Sequence, residues 1–237
     1  MREPRRFAVI ESRKSKRGGF APARPAWLNL PMLSLLTLLA MLAPGVAAPA
    51  AEVSYTVDAA RSSVVIRVGR SGVFSFAGHT HTVVAPALQG RVVAVEGDLP
   101  RSAVRLAFET ARLTVLERDE PAGDAPRVQE VMLGPKVLDA GRFPAVTFES
   151  TAVAGTRSSP GAYQLTVRGA LTLHGVTRPV ALPLVVEVGA DGLLKATGRM
   201  TVRQTDYGID PVSVAGVVKV KDELAIEYTI VAVPAQP

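Results

Sequence analysis

The chain has 237 residues, no cysteine and a formal net charge of +6. All of that charge resides in residues 1–26, where Arg2, Arg5, Arg6, Arg13, Lys14, Lys16, Arg17 and Arg24 outnumber Glu3 and Glu11, and the rest of the chain is neutral. A neutral body carries no basic footprint for nucleic acid, and the lack of cysteine excludes disulfides, thiolate metal sites, a thiol nucleophile and a lipidated cysteine.

The basic segment runs into an apolar stretch from Trp27 to Ala43, then Pro44-Gly45, then small residues through Ala51. Basic, apolar and small, in that order, describes a secretory signal peptide. The uninterrupted apolar core between Pro31 and Pro44 is twelve residues, far short of the roughly 20 that span a bilayer. Cleavage, with Ala48 and Ala50 as the small pair, is therefore expected over a retained anchor. The expected organisation is a cleaved signal peptide over 1–50 and one domain over 51–237, periplasmic or secreted.

Beyond the leader, a period of two dominates, the mark of strands with one buried face. In chain order, strands are predicted near 54–58, over Val64–Val68, and near 73–77, 80–85 and 88–96. Further runs cover Val104–Phe108, Val146–Ser150, Tyr163–His174, Val180–Val186, Leu194–Val202 and Leu224–Ile230. Glu117–Pro126 is polar and Pro-rich and reads as an exposed loop. After it, Val128, Val131 and Met132 fall at i, i+3 and i+4. That spacing predicts one short helix over Arg127–Leu133, in an excursion near 127–140 that Gly134-Pro135 interrupts. Asp191-Gly192, between two alternating runs, predicts a hairpin.

One-sided strands without crossover helices fit an antiparallel sheet. The expected class is all-β: a closed or nearly closed barrel of eight or more strands, with a two-sheet sandwich as the alternative of identical periodicity. In a small barrel, inward side chains either fill the space or line a pocket. The inward candidates are Val64, Ile66, Val104, Leu106, Phe108, Val146, Phe148, Leu165, Val167, Leu171, Val180, Leu182, Met200, Ile226 and Tyr228. Each methylene of a chain-like ligand buried among them would gain roughly 0.8 kcal/mol, offset in part by the cost of ordering the chain.

Three blocks resemble the signature stretches of YceI-like proteins: Arg142-Phe-Pro-Ala-Val-Thr-Phe-Glu-Ser150, the run Tyr163–Val180 with Leu171-Thr-Leu-His-Gly-Val-Thr177 inside it, and Arg203–Ile209 with Asp206-Tyr-Gly208. The opening Tyr55–Ser63 joins them, so the resemblance covers about Val53 to Val233 in the family's order. It implies a lipocalin-like antiparallel barrel that is periplasmic or secreted and holds a polyisoprenoid, isoprenoid quinone or other lipid inside, without a cofactor. Two features depart from the family pattern. Phe76-Ala-Gly-His-Thr-His-Thr82 carries two histidines, and Gly134-Pro135 interrupts the helical segment.

His79 and His81, two apart, share a face if the segment is a strand. Two imidazoles supply half of a zinc or copper site, and with no evident third ligand no metal is assigned. They are instead candidate polar contacts to a ligand, together with Tyr228 and His174. A backbone-satisfied role for His174 is the stronger reading, beside a Gly175 that permits a tight turn; Pro179 suits a strand start or edge. No Gly-x-Ser-x-Gly motif occurs, Glu109 and Glu149 are expected to face outward, and Asp206-Tyr207-Gly208 reads as a turn. No nucleophile–base constellation is visible, so the chain is not expected to be an enzyme. The expected function is a non-catalytic carrier or sequestering protein, with a lipid or isoprenoid partner, transient membrane contact and no nucleic acid. Two alternatives are a metal- or cofactor-dependent stress or redox protein using His79 and His81, and an envelope interaction module with a filled core.

Overall fold

The two-residue periodicity is realised as a single sheet that closes on itself. The computed structural model describes residues 51–71, 80–214 and 218–236. The leader, the strand predicted near 73–77 and His79 lie outside the described residues. In chain order the elements are β1 (Glu52–Val57), β2 (Ser63–Ser71), β3 (His81–Val84), β4 (Gln89–Val95), β5 (Ala103–Glu109) and β6 (Thr114–Val115). They continue with α1 (Ala125–Leu133), β7 (Ala145–Ser159), β8 (Ala162–Leu173), β9 (Val176–Val188), β10 (Leu194–Arg203), β11 (Ser213–Val214) and β12 (Val218–Pro234).

Eight strands run β1-β4-β5-β7-β8-β9-β10-β12, and β12 pairs back onto β1 to close the barrel. The sandwich alternative is thereby replaced by a closed antiparallel barrel with extra strands and one helix. Closure depends on a division of labour along β12. Its C-terminal end, Ala232–Pro234, pairs with β1, whereas Lys219–Thr229 pairs with β2 on the same side. Between the two, Asp58 Oδ1 accepts the backbone N–H groups of Ala60 and Arg61, turning the chain. Ser62 Oγ accepts from Val231 N at 3.0 Å, filling the break in the ladder. Strands β3 and β6 then extend the β2 side of the sheet.

The helix starts two residues earlier than predicted, at Ala125, with Pro126 in its first turn, where the missing N–H has no helical partner to lose. It ends at Gly134, ahead of Pro135, and the rest of the predicted excursion is turn. Gln129 ties α1 to the sheet: its Oε1 accepts from Val115 N at 2.8 Å and its Nε2 donates to Leu113 O at 2.7 Å. One side-chain amide thus does for β6 what a neighbouring strand would.

The β8–β9 hairpin turns on His174 and Gly175, both at positive φ (51° and 73°), the pair of left-handed residues that a two-residue turn requires. A side chain on Gly175 would run into the Phe143 ring. The hairpin predicted at Asp191-Gly192 also forms, with a longer loop. Strand β9 ends at Val188, β10 begins at Leu194, and Gly189 N donates to Leu193 O.

Pro179 starts no strand; it lies inside β9. The β9–β10 ladder runs from Val188↔Leu194 to Leu184↔Gly198 and stops there, one residue before Pro183, which has no N–H to offer. From Val176 to Pro183, β9 pairs with β8 alone, so in effect this stretch is an edge. A seam therefore opens between β9 and β10 within the closed barrel.

Candidate functional site

Strand closure leaves a cavity of about 1130 Å³ inside the barrel. This exceeds the roughly 300–1,000 Å³ of ordinary small-molecule pockets. Alternation puts Val104, Leu106 and Phe108 of β5 inside and Arg105 and Glu109 outside. The outward Arg105 meets Glu149 of β7 at 2.7 Å on the exposed face. Exposed pairs of this kind contribute little to stability, and the two carboxylates stand outside as expected.

Of the apolar side chains expected to face inward, all but Val180 line the cavity. Val180 packs instead beside Phe148, Val153 and Val167, opposite Gly169, and does not reach the open space. Several lining residues were not singled out from the sequence, among them Tyr55, Val92, Val186, Ile230, Val131 and Gln204. Most are members of predicted alternating runs, but Val131 comes from the helix and Gln204 from the turn after β10.

Tyr228 was expected to offer a polar contact to a ligand. Its ring lines the cavity, but its hydroxyl donates to Pro183 O at 2.7 Å, across the seam where the β9–β10 ladder has stopped. The ring reaches that far because Gly198, its partner in the β10–β12 register, leaves the space open; a Cβ there would lie 2.6 Å from the hydroxyl. Burial pushes the Tyr228 hydroxyl pKa up to about 12.

At the α1 end of the barrel, His81 lines the cavity. Its Nδ1 lies 2.8 Å from Glu120 Oε1 and 3.0 Å from Oε2. The loop over 117–126 was expected to be exposed, yet the Glu120 side chain is shut off from solvent while that of His81 is 26% exposed. A buried acid side chain needs a hydrogen-bond partner, and this one has His81, 39 residues away in sequence. Nothing local in the sequence marks it. Arg70, Arg127, Asp124, Gln204 and Ser213 are further polar residues of the lining. Among the described residues, no three His, Cys, Asp or Glu side chains are arranged to hold a metal.

The opposite end carries Tyr55, Tyr163, Glu96 and Arg157. Arg157 pairs with Glu96 at 3.5 Å, both side chains more than half exposed. Burial chiefly, then the neighbouring Tyr163 and Glu96, raises the pKa of Tyr55.

His174 is not on the cavity wall. Its Nδ1 lies 3.2 Å from Tyr207 O, and its ring meets that of Phe143 edge-on, centroids 4.5 Å apart. The carbonyl can only accept, so Nδ1 carries the proton. The candidate ligand contact is thus a side chain engaged by backbone, which locks the β8–β9 turn onto the Thr205–Tyr207 turn. Arg178 Nε reinforces the same junction by donating to Asp206 O at 2.8 Å.

The chain is similar to known proteins in sequence and in fold. A UPF0312 protein of Shewanella putrefaciens is 31% identical over 183 residues, covering 75% of this chain and 86% of the relative. A UPF0312 protein of Vibrio vulnificus is 30% identical over 145 residues, 61% of this chain and 68% of the relative. Among solved structures, Burkholderia cenocepacia BcnA superposes with a TM-score of 0.58 at 19% identity, covering 75% of this chain and 99% of its own. A polyisoprenoid binding domain from Saccharophagus degradans, implicated in plant cell wall breakdown, superposes with a TM-score of 0.53 at 12% identity, covering 77% and 99%. These two likenesses establish a shared fold. The YceI-like domain model matches residues 55–232, from the first barrel strand to the last, and the chain belongs to the YceI-like family.

Proposed function

We propose that this chain is a non-catalytic binding protein that holds a long apolar molecule of the isoprenoid or lipid class inside its barrel, for transport, storage or sequestration. The observation that carries the reading is the cavity of about 1130 Å³ lined by inward apolar side chains from every strand of the closed ring. Such a wall offers a guest dispersion contacts and removal from water along its whole length. A structural neighbour described as a polyisoprenoid binding domain supports the same class of guest. The basic and apolar leader supports export to the periplasm or beyond after cleavage within 1–50. An apolar cargo there would be collected from, and returned to, a membrane surface.

Native mass spectrometry of the protein from its own cells, followed by organic extraction, tests this reading. The expected result is a bound apolar species of defined mass that solvent releases. Repeated recovery of bare protein that also fails to take up added long-chain prenols would overturn it.

A further inference from the structure

Gln204 is a buried polar residue of the cavity wall whose hydrogen-bond partners are all backbone groups. It is 6% exposed, lines the cavity, and is fixed at its backbone by N–H donation to Asp222 O. Its side-chain Nε2 donates to Lys221 O at 2.7 Å. A carbonyl cannot donate, so this bond also settles which end of the amide is which. The oxygen, Oε1, has no partner among the described residues. Among the described residues, every side-chain nitrogen or oxygen cut off from solvent has a partner, so Oε1 is accessible, on a residue that lines the cavity. Gln129 shows the contrast, because backbone groups use both its oxygen and its nitrogen.

Resting on the carrier reading above, we infer that the guest bears a hydroxyl head, alcoholic or phenolic, whose O–H donates to Gln204 Oε1 at the α1 end of the barrel. Gln204 lies two residues beyond Val202, and Val202, Leu224, Val68 and His81 form one row across β10, β12, β2 and β3. At about 4.8 Å per strand, His81 is roughly 14 Å around the wall from Val202, so a head group at the amide does not also reach the His81–Glu120 hydrogen bond. A carbonyl-only head, as in a quinone, has no hydrogen to give to Oε1 and could engage only the second Nε2 hydrogen, whereas a hydroxyl can use Oε1.

The test is calorimetric titration of the delipidated full chain with two matched pairs: geranylgeraniol and its methyl ether, and a long-chain alkylphenol and its methyl ether. A hydroxyl should bind about 3- to 10-fold more tightly than its ether, the worth of one net hydrogen bond. Gln204→Met should erase the difference while leaving ether binding unchanged. A preference in one pair alone supports the inference and identifies the head as alcohol or phenol. Equal, tight binding of hydroxyl and ether in both pairs overturns the inference and leaves the carrier reading standing. Failure of all four compounds to bind overturns both. Should Gln204→Met not fold, the comparison in the native chain alone decides.

Discussion

Tyr228 and Gly198 carry the seam between β9 and β10. The tyrosine hydroxyl, held at a pKa of about 12 by burial, keeps its proton in the folded state at pH values where the unfolded chain's tyrosine has released it. Its stabilising contribution is therefore complete below pH 10 and is lost as the pH rises toward 12. Burial also raises Tyr55 and Tyr207, so alkaline absorbance titration should show several delayed tyrosine transitions, of which Tyr228→Phe removes the one near pH 12. The same substitution should cost about 1 kcal/mol in urea unfolding, because it frees the Pro183 carbonyl. Gly198→Ala should cost about 1–3 kcal/mol, since the added methyl collides with Pro183 O and the Tyr228 ring. Unchanged stability in both variants would mean that the seam is not held by this contact. Acid acts elsewhere, at Asp222, whose carboxylate accepts from Thr205 N at 2.9 Å and Thr205 Oγ1 at 2.7 Å. Those bonds lower its pKa below the ordinary 3.8. The link between the Thr205–Tyr207 turn and β12 is then intact above that value and weakens as pH falls through the depressed one. Asp222→Asn should flatten the acid limb of a stability–pH curve, with a small effect because the group is exposed.

At the scale of elements, α1 is joined to the sheet by the Gln129 amide and by apolar contacts of Val128 and Met132. Gln129→Ala should strip partners from Val115 N and Leu113 O, at a cost of about 1–3 kcal/mol, and hydrogen exchange at Val115 N–H should accelerate sharply. Exchange as slow as in the native chain would show that the helix is held without it. The helix itself was legible from Val128, Val131 and Met132, because i, i+3, i+4 spacing survives without tertiary context. Its true start at Ala125 was not, since Pro126 reads equally as a loop residue and as a first-turn residue. The strands were legible for the same reason of periodicity. Their pairing was not, and with it the dual use of β12 by β1 and β2, which depends on a break at Asp58–Ser62 that alternation does not encode. Pro179 did signal an edge; Pro183, where the β9–β10 ladder stops, was not singled out. That the edge would lie inside a closed barrel follows only from the register.

For the whole molecule, inward and outward faces were readable residue by residue, because one strand's alternation fixes both. Val180 has the right parity but packs beside Phe148, Val153 and Val167 and is not among the residues lining the cavity. The polar residues of the site were the hard part. His81 with Glu120, and Gln204 with Lys221, are contacts between segments far apart in sequence, and no local pattern announces a buried carboxylate or an amide left half satisfied. Periodicity also could not say whether the inward set would fill its own space. Closure around a large hollow decides that in favour of room for a guest. The affinity of that guest should come mainly from its apolar length, each methylene adding up to roughly 0.8 kcal/mol until the wall is covered. The direct measurement is a calorimetric series of prenols of increasing chain length, titrated into the native chain and into Leu106→Trp, which places bulk in the hollow. The account predicts affinity that climbs with chain length and then levels off, with the plateau reached at a shorter chain in Leu106→Trp. Affinity independent of chain length, or identical series in the two proteins, would contradict it.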